Sequence, residues 1–595
     1  MASCDRDVWD RLLEMAEAGN AMALHEVGVA LLFGTYSYPD ECTYTIAVEQ
    51  NATLARTMLR RALAGGYLMA GKSLALALEV DSTDNDDDLA PFKAGLYHLA
   101  ASTGSSAAFA VLGNIYASES ATTGIAAYHY YHAAIDAAAA FHERGKEPLH
   151  EMNRLYDALQ QDITQGQLGE DDELIQFQKL RADKDGDIES MAAMGDLYYW
   201  GARGVPRDQE QALRYFERAA QAGHVSSQAA LAGMLLKGEG ADQDNATAID
   251  WYEKAAMQNH TRALNGLGFI HFYGSSGVTE NKSLALEFFE RAALNEEDGD
   301  SLFNAGYCYA IGVGAPRNMS RAIFFYDIAA RKFGHFDAVF ELGKVWMHGV
   351  EDAGISPDLP RAVPYLKAAS DVGRWGTTMR KGFEQFLAGE WRRAAVHYHD
   401  AREFGYPVAT SNLAYLYDEK LVLPRNLQSE KRAFKFLTRA FAENGDREVL
   451  VRLGDYHYYG RAGLPVNPGE AIRWYSRASA EGVDVGAFSV GHMYEYGIGV
   501  DVNLERAQRY YQRAEELAAA TSSEAFLAAH LMLVRLSLRR WLRHTSLERL
   551  LEWRGMDDNS IWFSDAAHCF TSVPIAVAVV LASIALGSWY LRSQR

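Results

Sequence analysis

The side chains able to do chemistry in this 595-residue chain are two histidine pairs, an isolated His-Glu dipeptide, four cysteines, an acidic run and four glycosylation sequons. The histidine pairs are His129 with His132 and His397 with His399. Both pairs fall inside aromatic helical stretches, where packing is the expected role. His150-Glu151 begins like a zinc helix, but no second histidine follows four residues on, so the two imidazoles that would share one helix face are missing. Gly312-Val-Gly314 lacks the Lys and Ser/Thr that complete a phosphate loop. Cys4, Cys42, Cys308 and Cys569 are too few and too scattered for a disulfide framework or a short-spaced metal site. Cys308 reads as core filler, and a Cys4–Cys42 bridge stays open in an oxidising compartment. The acidic run Asp81 to Asp88 reads as a solvated connector. No catalytic, cofactor or metal site is predicted.

The sequons begin at Asn51, Asn245, Asn281 and Asn318, and the last three lie 36 and 37 residues apart. They share one phase, the loop entering a helix, which is exposed as glycan attachment requires. Asn at that phase is equally expected as a helix N-cap, so glycan and cap both remain open.

That phase belongs to a larger period. Gly195, Gly233, Gly268, Gly306, Gly343, Gly454 and Gly491 recur after apolar stretches, and the 296 residues from first to last divide into eight steps averaging 37. A period of that size signals stacked modules rather than one core. The best copies are Met191 to Tyr198 followed by Ala212 to Ala220, and Val451 to Tyr459 followed by Ala471 to Ala478. In each segment Ala, Leu and aromatics return at three- and four-residue spacing, which predicts two amphipathic helices per module. A turn rich in Gly, Pro, Asp and Asn joins them, as in Gly201 to Asp208. The phased glycine costs about 1 kcal/mol of helix propensity relative to Ala. It is therefore expected at a close helix-helix contact, facing the Ala-Ala of the paired helix at residues 218–220 and 291–293.

A formal charge of -21 disfavours nucleic acid, which is bound through clustered Lys and Arg. At the far end, Phe570 to Leu591 is a charge-free run of 22 residues. As a helix it would be about 33 Å long, enough for a hydrocarbon core of about 30 Å. Arg592 and Arg595 after the run, against Arg554 alone in the 20 residues before it, predict a cytosolic tail and lumenal repeats. Residues 1–9 carry no apolar signal core, which leaves a tail-anchored protein with cytosolic repeats as the alternative. Ahead of the run, Leu531, Val534, Leu538, Trp541 and Leu542 share one helical face, with Arg535, Arg539, Arg540 and Arg543 largely opposite. The pattern suits a helix resting on a membrane or docking into a membrane partner, or else a terminal cap of the array.

The repeat resembles the Sel-1-like repeat, a glycine-bearing relative of the tetratricopeptide repeat. Copies start near Ala21, Ser106, Ser190, Val225, Thr261, Asp300, Phe336, Trp375, Pro407, Asp446 and Asp484, with a degraded one near Leu68. From about residue 170 to about 540 the likeness narrows. Gly373-Arg-Trp375, Gly389 to Tyr398, Gly405 to Ala414, Gly454 to Gly460 and Gly491 to Gly499 look like the membrane-anchored Sel-1-like adaptors of the endoplasmic reticulum-associated degradation (ERAD) ubiquitin ligase.

The resemblance implies an all-α, TPR-like solenoid of 11–12 helix pairs with a C-terminal transmembrane helix. Its expected parts are N-terminal repeats 1–140, a helical insert 141–186, middle repeats 187–406 and C-terminal repeats 407–523. An amphipathic segment 524–569, the anchor 570–591 and a tail 592–595 follow. The implied role is a non-catalytic adaptor without cofactor. Its implied partners are a polytopic membrane RING-type ubiquitin ligase, a lectin of the OS-nine type, misfolded clients and, through its last helix, the membrane. Ligase docking is expected at Tyr456, Tyr458, Tyr459, Tyr494, Tyr496, Trp541 and Trp553, with about half of the tyrosines in the core. Two other readings stay open: a cytosolic scaffold for signalling or trafficking partners, and a module that binds glycans directly.

Overall fold

The computed structural model describes residues 2–37, 45–81, 86–117, 120–144, 154–155, 173–201, 205–274, 277–294, 296–423, 427–521 and 525–543. They fold into 27 α-helices with short 3-10 or π turns and one small hairpin, Thr35–Ser37 antiparallel to Thr45–Ala47. The N-terminal helices are α1 (Ala2–Glu17), α2 (Ala21–Phe33), α3 (Ala52–Ala64), α4 (Ala70–Asp81), α5 (Asp86–Ala101), α6 (Ser106–Ala117) and α7 (Thr123–Arg144). After α8 (Glu173–Leu180) come the regular pairs: α9 (Ile188–Trp200) with α10 (Gln209–Gln221), α11 (Val225–Lys237) with α12 (Asn245–Ala256), and α13 (Thr261–Tyr273) with α14 (Lys282–Ala293). The pairs α15 (Gly299–Ile311) with α16 (Met319–Phe333) and α17 (Phe336–His348) with α18 (Leu359–Ser370) complete that series. Next are α19 (Thr377–Leu387), α20 (Trp391–Glu403), α21 (Pro407–Asp418), α22 (Leu427–Asn444) and α23 (Val449–Tyr459). These belong to a compact unit ending at Asn467; a second unit, from Pro468, holds α24 (Pro468–Ala480), α25 (Asp484–Tyr496), α26 (Leu504–Thr521) and α27 (Ala525–Arg543).

Within a pair, the first helix ends at a left-handed glycine, as at Gly201 (φ 67°), Gly312 (φ 73°) and Gly460 (φ 66°). The second helix starts at an Asp or Asn cap, such as Asp208 on Gln211 N or Asn318 on Arg321 N. Its buried stripe is alanine and aromatic: Ala212, Tyr215, Phe216, Ala219 and Ala220 in α10.

The phased glycine does mark a close approach, but to a bulky side chain rather than the paired alanines: a ring at Gly195, Gly268, Gly306 and Gly491, and Leu366 at Gly343. A Cβ on Gly195 would lie 2.6 Å from the Phe216 ring, on Gly268 2.6 Å from Phe289, and on Gly306 2.8 Å from Tyr326. One member of the series is out of phase. A Cβ on Gly233 would meet only the Tyr252 hydroxyl, at 3.3 Å. The slot six residues before the left-handed cap Gly238 is filled by Ala232, which is fully buried.

The largest departure from sequence order is the placement of the N-terminal helices. The α6–α7 pair lies along α17–α18: Ala127 and Tyr130 pack on Ala362 and Leu366, and Ala134 packs with Phe336, Val339 and Ala369. Helices α2 and α4 pack on α20. Hence α2, α4, α6 and α7 pack on helices that come far later in the chain.

In the second unit, α27 covers α25 and α26. Leu536 packs with Ala507 and Tyr511, and Ala529 packs with Ala487 and Ala514. Arg535 turns inward to Glu495 at 2.6 Å instead of facing solvent opposite the apolar stripe, while Val534 is exposed. The described part of the amphipathic segment therefore serves as a terminal cap. Among the described residues no helix is long and apolar enough to cross a membrane. The expected anchor, residues 570–591, lies outside them.

Candidate interaction surfaces

Two kinds of surface stand out: a periodic exposed aromatic face and a buried charged junction. The exposed face is built at the last position of several first helices, just before a positive-φ glycine; α11 and α17 place Lys237 and His348 there instead. Trp200, Tyr273, Ile311 and Tyr459 occupy this position in the first unit, and Trp200 and Tyr273 are 61 % and 62 % exposed. Phe269, one turn ahead of Tyr273, adds a second exposed ring with centroids 4.7 Å apart. In the second unit Tyr496 holds the same position before Gly497.

Beneath this face, a cation from the second helix, or from the turn just before it, lies over a ring of the first. Arg207 sits over Tyr199, Arg321 over Tyr309 at 4.5 Å, Arg361 over Trp346 at 3.7 Å and Arg506 over Tyr494. Burial, with Glu290 accepting from its hydroxyl at 2.6 Å, pushes Tyr309 up to about 12.

The junction joins α4 and α5 to α20. Lys93 Nζ donates to Glu79 at 2.8 Å and to Glu403 at 2.6 Å; Arg402 reaches Glu79 at 2.9 Å, Lys72 reaches Asp400 at 2.5 Å, and the Tyr97 hydroxyl donates to Glu403 at 3.0 Å. Arg432 of α22 adds a bond to the Val80 carbonyl. Burial alone would raise the Glu79 carboxyl, but Lys93 and Arg402 outweigh it and hold the group far below the usual carboxylate range. His399 is enclosed beside them. Burial pushes its imidazole down to about 3, so its 3.9 Å approach to Glu79 is not an ion pair at neutral pH.

The sequence-predicted residues distribute as follows. Tyr456 is fully buried, its hydroxyl bonded to Asp418 at 3.0 Å beneath Arg461, so it is a core residue and not a docking residue. Tyr458 and Tyr494 are half-buried, and Tyr494 stacks on Tyr510 at 5.9 Å. Tyr459 and Tyr496 are exposed. Trp541 falls at the end of α27 with its side chain outside the described residues, as is all of Trp553.

Asn51, Asn281 and Asn318 each cap a helix through the side-chain oxygen. Asn245 is instead the first helical residue after the Asp244 cap. All four are exposed or half-buried. A glycan would attach to the amide nitrogen, so capping by the oxygen leaves modification sterically open.

His129 stacks on Tyr116, and burial lowers it to about 4; His397 is enclosed and lowered to about 4 for the same reason. Cys308 is buried in α15, its thiol pushed up to about 11. Among the described residues no group of three His, Cys, Asp or Glu is placed to hold a metal. Sequence reasoning missed Trp200, Phe269 and Tyr273. The signal for Trp200 and Tyr273 is a bulky residue directly before the capping glycine.

Paired helices, phased close contacts and left-handed caps define a Sel1-repeat array. The Sel1 repeat family matches residues 188–224, 225–260, 261–296, 299–332, 336–373, 407–445, 448–483 and 485–518, and the chain is a Sel1-repeat protein. It is 27% identical over 392 residues to the ERAD-associated E3 ubiquitin-protein ligase component HRD3B of Arabidopsis thaliana, covering 64% of this chain and 56% of that one. Its likeness to HRD3A of the same plant is 31% over 189 residues, covering 30% and 27%. Chitin synthase regulatory factor 3 of Schizosaccharomyces pombe is 26% identical over 329 residues, covering 55% and 28%. The match thus spans about half the length of HRD3B, and less of the others.

Proposed function

We propose that this protein is a non-catalytic adaptor of an ERAD ubiquitin ligase. In this reading the repeats lie in the lumen of the endoplasmic reticulum, gather misfolded proteins and glycoproteins together with a lectin of the OS-nine type, and stabilise a polytopic RING-type membrane ligase. Residues 570–591 anchor the chain and the four-residue tail is cytosolic.

The observation that carries the reading is the 392-residue similarity to HRD3B, which runs well beyond single repeats. The exposed rings at one phase support it, because aromatic side chains bring large contact area at low entropic cost. The residues that dock the ligase are Tyr458 and Tyr459 of the first unit and Tyr494, Tyr496, Trp541 and Trp553 of the second, and Asn51, Asn245, Asn281 and Asn318 carry glycans.

Purification of the tagged full chain in mild detergent is expected to bring down a RING-type membrane ligase, and loss of the chain is expected to slow decay of a misfolded lumenal glycoprotein. Recovery of the chain without any ligase, together with unchanged decay, refutes the reading. The similarity to chitin synthase regulatory factor 3, a regulator by its name, favours a second one, a tail-anchored cytosolic scaffold for signalling or trafficking partners. A mobility shift on glycosidase treatment of the native protein excludes it.

A further inference from the structure

The residue that opens the first helix of a repeat is an N-cap, whose side chain accepts from a backbone N–H of the first turn. At α9 it is Asp187, bonded to Ser190 N at 3.0 Å, and at α15 it is Asp298, bonded to Ser301 N at 2.9 Å. At α11, α13 and α17 the same position holds His224, His260 and His335. Histidine is unusual there, and these three share a second contact. His224 Nε2 lies 3.8 Å from Glu189, His260 Nε2 lies 3.3 Å from Ser226 Oγ, and His335 Nε2 lies 3.0 Å from Asp300. Each partner sits in the first turn of the preceding repeat's first helix, so the ring bridges neighbouring repeats.

The other ring nitrogen fixes the protonation state. His224 Nδ1 faces Ser227 N at 3.3 Å and the Ser227 hydroxyl at 2.8 Å; His335 Nδ1 faces Ala338 N at 3.4 Å. A nitrogen that accepts from an N–H carries no proton. The proton therefore sits on Nε2, pointing at the preceding repeat. His260 makes the bridge without the cap bond, and its Nδ1 is buried without a hydrogen-bond partner. Protonating Nδ1 would set it against the backbone N–H that it caps, leaving the Ser227 hydroxyl at His224 to turn and accept, and would place a positive charge at the positive end of a helix. It would leave the Nε2 bridge in place and strengthen it where a carboxylate accepts.

We propose that His224 and His335 act as acid-sensitive toggles of the repeat array: neutral, each ring caps its own helix and bridges backward; protonated, it keeps the bridge and releases the first turn of α11 or α17.

The surrounding charges oppose one another. His224 is faced by Glu189 and, farther off, by Asp196 of α9 and by His260 and Arg262. His335 is faced by Asp300, with Phe303 stacked on its ring at 4.9 Å, Asp337 on its own helix paired with His142 of α7, and Lys332 of α16 engaged with Glu296. Glu189 and Asp300 lie on the Nε2 side of these rings, the cap bond and the helix dipole on the Nδ1 side, so the conformational change follows from which bond survives.

The test is hydrogen exchange on the full chain at about pH 7.5 and about pH 5.5, corrected for intrinsic rate, across the range where imidazole titrates. Protection at the starts of α11 and α17 is expected to fall about fivefold, the equivalent of one lost cap, while the Asp-capped starts of α9 and α15 hold. In the double variant His224→Asn, His335→Asn the caps persist without a titrating group, and the fall is expected to vanish. Equal falls at His-capped and Asp-capped starts in the wild-type chain overturn the proposal without reference to any variant, and so does a fall that persists in the double variant.

Discussion

The regular repeats of residues 188–348 and the junction between residues 70–101 and α20 solve the same problem, helix against helix, with opposite chemistry. In the repeats, alanines and one glycine per module let a ring seat directly on backbone, as Phe216 does at Gly195 and Phe289 at Gly268. That contact tolerates little change of volume and carries no charge. At the junction, Glu79, Lys93, Asp400, Arg402 and Glu403 are drawn together out of water, with a neutral histidine among them. Apolar stacking propagates along a chain because every copy offers the same surface. A specific charged set suits a contact made once, between segments far apart in sequence, because only the right partner neutralises it.

The contrast breaks first at Lys93. Lys93→Met leaves Glu79 and Glu403 facing each other without their shared cation, and should cost about 3–5 kcal/mol, read as a drop in the urea midpoint. The α9–α14 repeats should keep their exchange protection. Methionine is close in volume to lysine, so a neutral result would show that the cluster is solvated.

Acid should separate the two regions next. His399 is held neutral, so its contribution is complete above its unfolded value near 6.5 and drains as pH falls toward 3. At pH 5 the loss from this buried group is about 2 kcal/mol. The depressed Glu79 adds its loss only below the carboxylate range, about pH 4. A urea titration at stepped pH should show the junction weakening before the regular repeats do.

The glycine slot gives a two-sided test. Gly268→Ala pushes a methyl into the Phe289 ring and should cost about 1–3 kcal/mol, less what it regains in helix propensity. Gly233→Ala meets only a hydroxyl at 3.3 Å and should be neutral or stabilising by up to about 1 kcal/mol. Thermal midpoints moving together would contradict the phase assigned to Ala232.

The smallest effect belongs to the caps. Asn318→Ala should lose about 1 kcal/mol, while Asn318→Asp, which keeps the acceptor and removes the sequon, should lose almost none.

The paired helices and their period were legible because each rests on residues within one module. Gly233 misled because Ala232 and Gly233 are adjacent small residues, and only counting back six from Gly238 separates them. In α27 the heptad-like run offered two faces, Leu531 with Val534 and Leu533 with Leu536; hydropathy alone did not reveal that Tyr511 and Glu495 wait on the second. The junction was not legible at all. Lys93 and Glu403 stand 310 positions apart and read singly as ordinary surface charges. Of the five tyrosines assigned to docking, Tyr456 fell inside for a related reason: repeat phase locates a residue on a helix but not the depth of its ring.

The account rests most on the N-terminal repeats docking at α20, and a double-mutant cycle between Lys93 and Glu403 tests that most directly. With Lys93→Met, Glu403→Gln and the pair measured by urea unfolding, the account predicts a coupling above about 1.5 kcal/mol, as for close buried charges. A coupling within about 0.5 kcal/mol of zero, the range of independent sites, would contradict it.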